Sequence, residues 1–129
     1  MFEKIEFNDC PSRKKLADNE VSININHKTG NYSITFNKTF SENIKKNGYN
    51  SVTVLKDDER KVIRFVFGNN EGLRLTYQNS NNVTIQRKEV AIYIGNFLRL
   101  PKIERNILNF TKFGGNVIEI KNQFNEIHF

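Results

Sequence analysis

The length of 129 residues, with 37% hydrophobic and 26% charged residues, predicts one folded domain over residues 1–129 and excludes the disordered class of chain. No stretch approaches the ~18 apolar residues of a membrane span, and no apolar run near the N-terminus resembles a signal core, so we expect a cytoplasmic protein without membrane association. The formal net charge of +6 favours polyanionic or acidic partners, although an AT-rich coding bias toward Lys, Asn, Ile and Phe explains it equally well.

A hairpin is predicted after an irregular segment over residues 1–20. Hydrophobic and polar residues alternate from Val21 to Asn26 and again from Tyr32 to Phe36. This period of two is typical of strands that bury one face. Residues 27–31 carry a Gly and an Asn and would form the turn.

A short helix is expected to follow the hairpin. Thr39 and Glu42 fit a capping box, and Phe40 and Ile44 lie one turn apart on one face. Gly48 would then supply the left-handed residue that ends the helix.

The remaining core, up to residue 121, is predicted to be mainly strands. Four candidates, separated by turn-forming clusters, make an antiparallel meander and cover residues 51–56, 62–67, 73–78 and 83–86. Two further strands would flank the turn Gly114-Gly115, and residues 122–129 would be a tail.

The segment from Lys88 to Leu100 fits either a helix or a hairpin. Val90, Ala91, Ile94 and Phe97 have helical spacing, whereas a strand ending at Gly95-Asn96 would suit a hairpin. We favour the helix. The predicted fold class is therefore α+β, mainly antiparallel sheet with two helices.

An internal echo indicates a two-fold repeat. Ile34-Thr35-Phe36-Asn37-Lys38 is similar to Val83-Thr84-Ile85-Gln86-Arg87, and in each a strand leads into a helix. With four strands between two helices, the topology resembles the PC4/Whirly group of single-stranded nucleic-acid-binding domains, although that family's basic-loop signature does not occur here. The first segment also resembles small mobile-element (phage-type) proteins with DNA-binding folds. Both resemblances imply nucleic-acid binding.

Candidate catalytic groups are sparse. His27, His128 and Cys10 have no partner at triad or metal-ligand spacing. Glu59 and Lys61 have the spacing of some nuclease sites, but they lie between two predicted strands, where we favour a turn. We therefore expect no enzyme activity and no cofactor or metal.

A polar sheet face is the main candidate binding surface. Arg64 and Arg74 lie on consecutive strand candidates and are expected on adjacent strands, with Thr76 on the same face. Hydroxyls and guanidinium groups are among the side chains that contact phosphate and sugar oxygens. Further basic candidates are Arg87 and Lys88 at the second helix, and Lys14 and Lys15 near the N-terminus. The strand aromatics fall on the core face, which favours backbone contact over base stacking.

These features predict a non-enzymatic binding module for nucleic acid or a nucleic-acid complex. The alternative is a small protein inhibitor or adaptor that binds a nucleic-acid-binding protein, for example an anti-CRISPR-like inhibitor of an RNA-guided nuclease. Self-association into a homo-oligomer is left open.

Overall fold

Two helices and nine strands form the part of the chain that the computed structural model describes, which is residues 2, 16–77 and 82–122. The helices are α1 (Lys38–Lys46) and α2 (Lys88–Phe97). The strands are β1 (Glu20–Asn26), β2 (Asn31–Phe36), β3 (Ser51–Asp57), β4 (Val62–Gly68), β5 (Leu73–Arg74), β6 (Thr76–Tyr77), β7 (Val83–Ile85), β8 (Arg105–Lys112) and β9 (Val117–Lys121). The α+β fold class is confirmed, with a helix at 88–97. Neither described helix is long and apolar enough to cross a membrane.

The strands form one antiparallel sheet that almost closes into a barrel. Its order is β5-β3-β4-β9-β8-β1-β2-β7-β6. The two edge strands, β5 and β6, are consecutive in the chain and are separated only by Leu75, which is buried and donates its N–H to Asn50 O at 3.0 Å. The segment predicted as one strand over 73–78 is therefore two short strands separated by Leu75. β5 pairs with β3 and β6 pairs with β7, so the two strands form the two edges of the sheet.

The register agrees with an internal two-fold relationship. In the β2–β7 pair, Thr35 lies opposite Thr84, which are the second residues of the two similar sequence segments. In the β4–β9 pair, Arg64 lies opposite Glu119, and these are the third residues of Val62-Ile63-Arg64-Phe65 and Val117-Ile118-Glu119-Ile120. An antiparallel pair places equivalent residues opposite each other when a two-fold axis passes between the strands. One half is thus β1–β4 with α1, and the other is β5–β9 with α2.

Aromatic side chains fill the interior around Phe36. Its ring packs at 5.2–5.9 Å, between centroids, from the rings of Phe40, Phe65 and Phe67. Phe40 belongs to α1, so this cluster fixes α1 against the sheet. Five strand aromatics were predicted to lie on the core face: Phe36, Phe65 and Phe67 are buried, whereas Tyr32 is only partly buried and Tyr77 is 46% exposed. The prediction is therefore confirmed for the three phenylalanines and wrong for the two tyrosines.

The cap of α1 differs from the predicted capping box. Asn37 is the N-cap, and its Oδ1 accepts the Phe40 N–H at 2.7 Å. Asn37 Nδ2 also donates to the carbonyls of Asp18 and Glu20, whereas the Thr39 hydroxyl donates to Asp18 Oδ1. Asn37 is the N-cap in place of Thr39 because its single side-chain amide both caps the helix and bonds to backbone carbonyls at the start of β1.

The polar face of the first strands is buried, contrary to the expectation of an exposed binding surface. Ser22, Asn24, Ser33 and Thr84 are all buried. Asn24 Nδ2 lies 3.1 Å from the hydroxyl oxygens of Ser22 and Ser33 and 3.4 Å from that of Thr35. These groups satisfy one another, which is how short polar side chains become tolerable inside a fold.

Candidate nucleic-acid interface

The two arginines predicted to act together are separated in the sheet. Strand β5, which carries Arg74, pairs with β3 and not with β4, which carries Arg64. From the pairing Arg74–Ser51–Gly68, with about 3.3 Å per residue and about 4.8 Å between strands, the two lie roughly 16 Å apart on the same face. The expected adjacency is therefore wrong, because the barrel closes by adding β5 to the far side of β3.

The charge of Arg64 is compensated locally. Its guanidinium pairs with the buried carboxylate of Glu119, which also lies 3.7 Å from Arg60 Nη1. The remaining surface of Arg64, whose side chain is 42% exposed, covers the Phe113 ring at 5.7 Å. The Arg64 guanidinium therefore mainly compensates the charge of the buried Glu119 carboxylate, and only part of its positive charge is available to a binding partner.

The other predicted residues lie in different places. Thr76 is partly buried in β6, and its carbonyl accepts the Thr84 hydroxyl at 3.3 Å. Arg87 and Lys88 are the N-cap and first residue of α2, as expected. Lys14 and Lys15 lie outside the described residues.

Arg87 is the N-cap residue of α2, but its side chain does not cap the helix. Its side chain makes no hydrogen bond to the helix N-terminus and instead pairs with Glu89, an exposed ion pair. The pKa of Glu89 is lowered, first by its own backbone N–H and then by Arg87. A cation at a helix N-terminus also opposes the dipole, so this residue is not selected for helix stability.

We expect Arg87→Ser to be more stable than Arg87→Ala by about 1 kcal/mol, because serine can accept a free N–H of the first turn whereas alanine cannot. Both variants lose the same charge and the same surface ion pair, so their difference isolates the cap. Urea unfolding measures it. Equal midpoints would show that the position does not act as a functional N-cap.

An exposed tyrosine, a partly buried phenylalanine and two amines meet along one flank of α2. Tyr93 and Phe97 stack with centroids 6.0 Å apart and planes inclined by 14°. Lys56 Nζ and Lys61 Nζ lie 5.9 and 5.2 Å from the centre of the Phe97 ring. Amines at this distance from a ring face are attracted by its negative quadrupole, so the flank combines flat apolar faces with positive charge.

The turn between β3 and β4 positions these two lysines. Asp57 Oδ1 accepts the backbone N–H groups of Glu59 and Arg60, and its Oδ2 binds Arg60 Nε at 2.8 Å. The hydrogen bond from the Arg60 side chain is the main cause that lowers the pKa of Asp57. The acidic segment is therefore ordinary turn chemistry, as favoured over the nuclease alternative.

The two lysines differ in their electrostatic partners. Lys56 pairs with Asp58, which is the first cause of its raised pKa, and the second is a hydrogen bond with the Tyr93 hydroxyl. Lys61 makes no ion pair with any described residue. It holds a left-handed backbone with φ 55°, which is uncommon for a residue other than glycine or asparagine. Lys61 is thus the amine of this flank that is available to a phosphate.

A second cationic aromatic group lies at the start of α2. Lys88 Nζ lies 5.1 Å from the centre of the Tyr32 ring. The Tyr32 hydroxyl and His27 Nδ1 are 2.8 Å apart, and the two rings meet edge to face. This group and the Tyr93–Phe97 flank with its lysines lie about 140° apart around α2, and we call the two together the α2 surface.

The α2 surface is not demanded by the fold, because α1 lacks it. Counting from the N-caps Asn37 and Arg87, buried Ser41 and Ile44 correspond to buried Ala91 and Ile94. The positions of Tyr93 and Phe97 are then occupied in α1 by Asn43 and Asn47. Tyr93, which is 48% exposed, therefore has no structural counterpart.

Sequence reasoning missed Tyr93, although a pattern in the sequence marks it. On a helical projection of 88–97, at 100° per residue, Tyr93 falls outside the stripe formed by Ala91 and Ile94. A large aromatic residue off the buried stripe is informative once the helix is assigned.

No metal site accompanies this surface: within residues 2, 16–77 and 82–122, no three His, Cys, Asp or Glu side chains group closely enough to hold an ion. In comparisons with known proteins, the sequence matches no family model and no curated protein, and the fold matches no solved structure.

Proposed function

We propose that this chain is a non-enzymatic module that binds single-stranded nucleic acid through the α2 surface. The observation that carries the proposal is that amines lie over the partly buried rings of Tyr32 and Phe97, with the exposed Tyr93 ring stacked beside Phe97. Proteins that bind single strands combine aromatic faces, on which bases stack, with cations that follow the backbone.

The positive charges on and near the α2 surface favour a polyanionic ligand. Lys61 and Lys88 have no acidic partner among the described residues, and Arg99 and Lys102 extend the positive charge beyond the C-terminal end of α2. The acids of the β3–β4 turn are largely engaged, because Asp57 holds the turn and Asp58 holds Lys56. Phosphate contacts by the free amines would release condensed counterions and make binding depend on salt.

A double helix fits the surface less well than a single strand. Tyr93 is exposed beside the partly buried Phe97, so an unpaired base could stack on its ring, whereas duplex bases are already stacked on one another. Base–aromatic stacking contributes about 1–3 kcal/mol per base, and it is accessible only to unpaired bases.

A protein partner is the second candidate, and a different surface favours it. On the outer face of β3, β4 and β8, the exposed side chains of Leu55 and Phe113 flank Arg64. Aromatic and arginine side chains beside exposed apolar area are typical of energetic centres in protein interfaces. This face would serve the inhibitor or adaptor alternative.

The test compares Tyr93→Asn with Phe113→Asn, since the two aromatic side chains are 48% and 46% exposed and lie on different surfaces. Binding of a labelled oligothymidylate, of single-stranded RNA and of a duplex is measured by anisotropy at 50 and 200 mM salt. We expect Tyr93→Asn to weaken single-strand binding by at least about fivefold, from a lost stacking energy of about 1–3 kcal/mol, and Phe113→Asn to leave it unchanged.

The opposite pattern identifies the second candidate. Absence of salt-dependent oligonucleotide binding, together with a nuclease-resistant partner captured by the wild-type chain and lost in Phe113→Asn, would replace the proposal. Equal affinity for duplex and single strand would reject the stacking part of it.

A further inference from the structure

A pocket opens on the flank of α2 that carries Lys88. It has a volume of about 430 Å³ and lies between α2, the β1–β2 turn and the segment before β8. Ile25, Ile92, Leu100 and Ile103 form apolar walls. Pockets that accept small molecules span about 300–1,000 Å³ and combine such walls with a few polar groups.

Asn106 is the most buried polar residue that lines this pocket, with 1% of its surface exposed. Its Nδ2 donates to Pro101 O at 3.0 Å, but its Oδ1 has no hydrogen-bond partner among the described residues. A buried acceptor without a donor costs about 1–3 kcal/mol, and the fold uses only the Nδ2 end of this amide. An incoming N–H group would satisfy it.

Access to this acceptor requires a small movement. Oδ1 is closed off from bulk water, so a ligand reaches it only when a neighbouring pocket side chain turns aside. Ile103 lines the pocket and is 54% exposed, which leaves its side chain few contacts to lose on moving.

Basic side chains lie at the mouth of the pocket. Lys28 and Lys102 are exposed there, with one acid, Glu104. His27 lines the same mouth and touches Tyr32 of the α2 surface, so the pocket and that surface are continuous. An occupant with an anionic group on its outer end is therefore favoured.

We propose that this pocket holds one base of the bound strand, between apolar walls, with a base N–H donating to Asn106 Oδ1 and the adjoining phosphate near Lys28 and Lys102. The proposal rests on the proposed function, because it assigns one base of the same bound strand to this pocket. Each of the common bases carries at least one N–H donor, so the contact recognises a base without fixing its identity.

The test uses free nucleotides and the full chain. Adenosine and uridine 5′-monophosphates are titrated while the backbone amides of Ile92, Gly95 and Asn106 are followed by NMR, with ribose 5-phosphate as the control that lacks a base. We expect saturable shifts with a Kd of about 1 mM for the nucleotides, which is the weak affinity of a single small contact, and none for the sugar phosphate. Equal shifts with ribose 5-phosphate, or no saturation, would overturn the pocket.

Two variants separate recognition from folding. Asn106→Leu keeps the branched shape of the side chain but removes the acceptor, together with the Nδ2 donor to Pro101 O, and we expect at least tenfold weaker nucleotide binding in the folded variant. Ile92→Glu places at the pocket wall the residue that α1 carries at the equivalent position, Glu42, so the helix should tolerate it while nucleotide binding is lost. Nucleotide binding that survives in folded forms of both variants would contradict the assignment.

The pocket and the proposed function fail in different ways. Loss of oligonucleotide binding in Tyr93→Asn without any nucleotide binding overturns the pocket alone. Saturable nucleotide binding that depends on Asn106, with no effect of Tyr93→Asn on oligonucleotides, overturns the α2 surface and leaves a pocket for free nucleotides.

Discussion

Replacing Lys61 by Asn and Lys88 by Gln together will lower the affinity for a single-stranded oligonucleotide about 25-fold at 0.1 M salt, if each amine meets one phosphate. Each phosphate contact on a single strand contributes about 0.7 to the slope of log K against log salt, so two lost contacts flatten the slope by about 1.4. Counterion release contributes little near 1 M salt, and a tenfold lower salt concentration converts a slope of about 1.4 into a factor of about 25.

The replacements are chosen to leave the fold intact. Asparagine tolerates the left-handed backbone that Lys61 adopts at φ 55°. Glutamine is a good helix former and suits the first residue of α2. The measurement is a salt titration of oligonucleotide anisotropy over about one decade of salt.

The matched control lies on the other helix, α1. Lys38→Gln with Lys46→Gln removes the same two charges from exposed positions of α1, and Lys38 is the first residue of α1 as Lys88 is of α2. We expect the slope to change by less than about 0.3 in this variant, because only the distant field is altered. The same loss in both variants would mean that net charge, not the α2 surface, governs binding.

Most strands and both helices were predictable because their patterns are local. Alternation over Val21–Asn26 and the turn at Gly114 set two hairpins that the structure contains. In the region 88–97, Ala91 and Ile94 provide a buried helical stripe, which decided helix over hairpin. These patterns depend only on residues close in sequence, and the hairpins and the helix that they predict are present in the structure.

Strand order was not predictable from local pattern. Arg64 and Arg74 lie on consecutive strand candidates, but β5 returns to the free edge of β3 because β9, from the far end of the chain, occupies the edge of β4. Pairing between segments about 55 residues apart, such as Arg64 with Glu119, leaves no trace in periodicity. The ion pair that compensates Arg64 was missed for the same reason.

Alternation also does not reveal whether a polar face meets water. Ser22, Asn24 and Ser33 have the spacing of a solvated face, yet their hydrogen bonds to one another allow burial. A period of two therefore fixes which residues share a face and leaves the environment of that face undetermined. Because this sheet face is buried, the candidate site lies on α2 and not on the sheet face that alternation predicted. The PC4/Whirly resemblance stays a prediction.

Truncating Phe36 to Ala will destabilise the domain by about 3–5 kcal/mol, the range for deleting a buried phenylalanine from a core that cannot collapse onto the cavity. Phe36 has no exposed surface and contacts three other rings, one from α1 and two from β4. Since single domains are stable by about 5–15 kcal/mol, this loss is a large share of the total. Urea unfolding followed by circular dichroism measures it.

The control is Phe113→Ala, because Phe113 is half exposed and its ring contacts only the Arg64 side chain among the described rings and cations. We expect less than about 1 kcal/mol of destabilisation there, as for most surface substitutions. A comparable loss in both variants would contradict the central role of the Phe36 cluster.

The Phe36 variant also reports whether the two related halves unfold together. Strand pairs β1–β8, β2–β7 and β4–β9 each join one half to the other, and the rings of Phe40 and Phe110 meet across the same division. Neither half therefore has a closed sheet of its own, and a cavity at Phe36 should weaken both at once. We expect one transition with an unchanged denaturant slope. Two separate transitions would show that the halves are independent folding units in spite of their shared sheet.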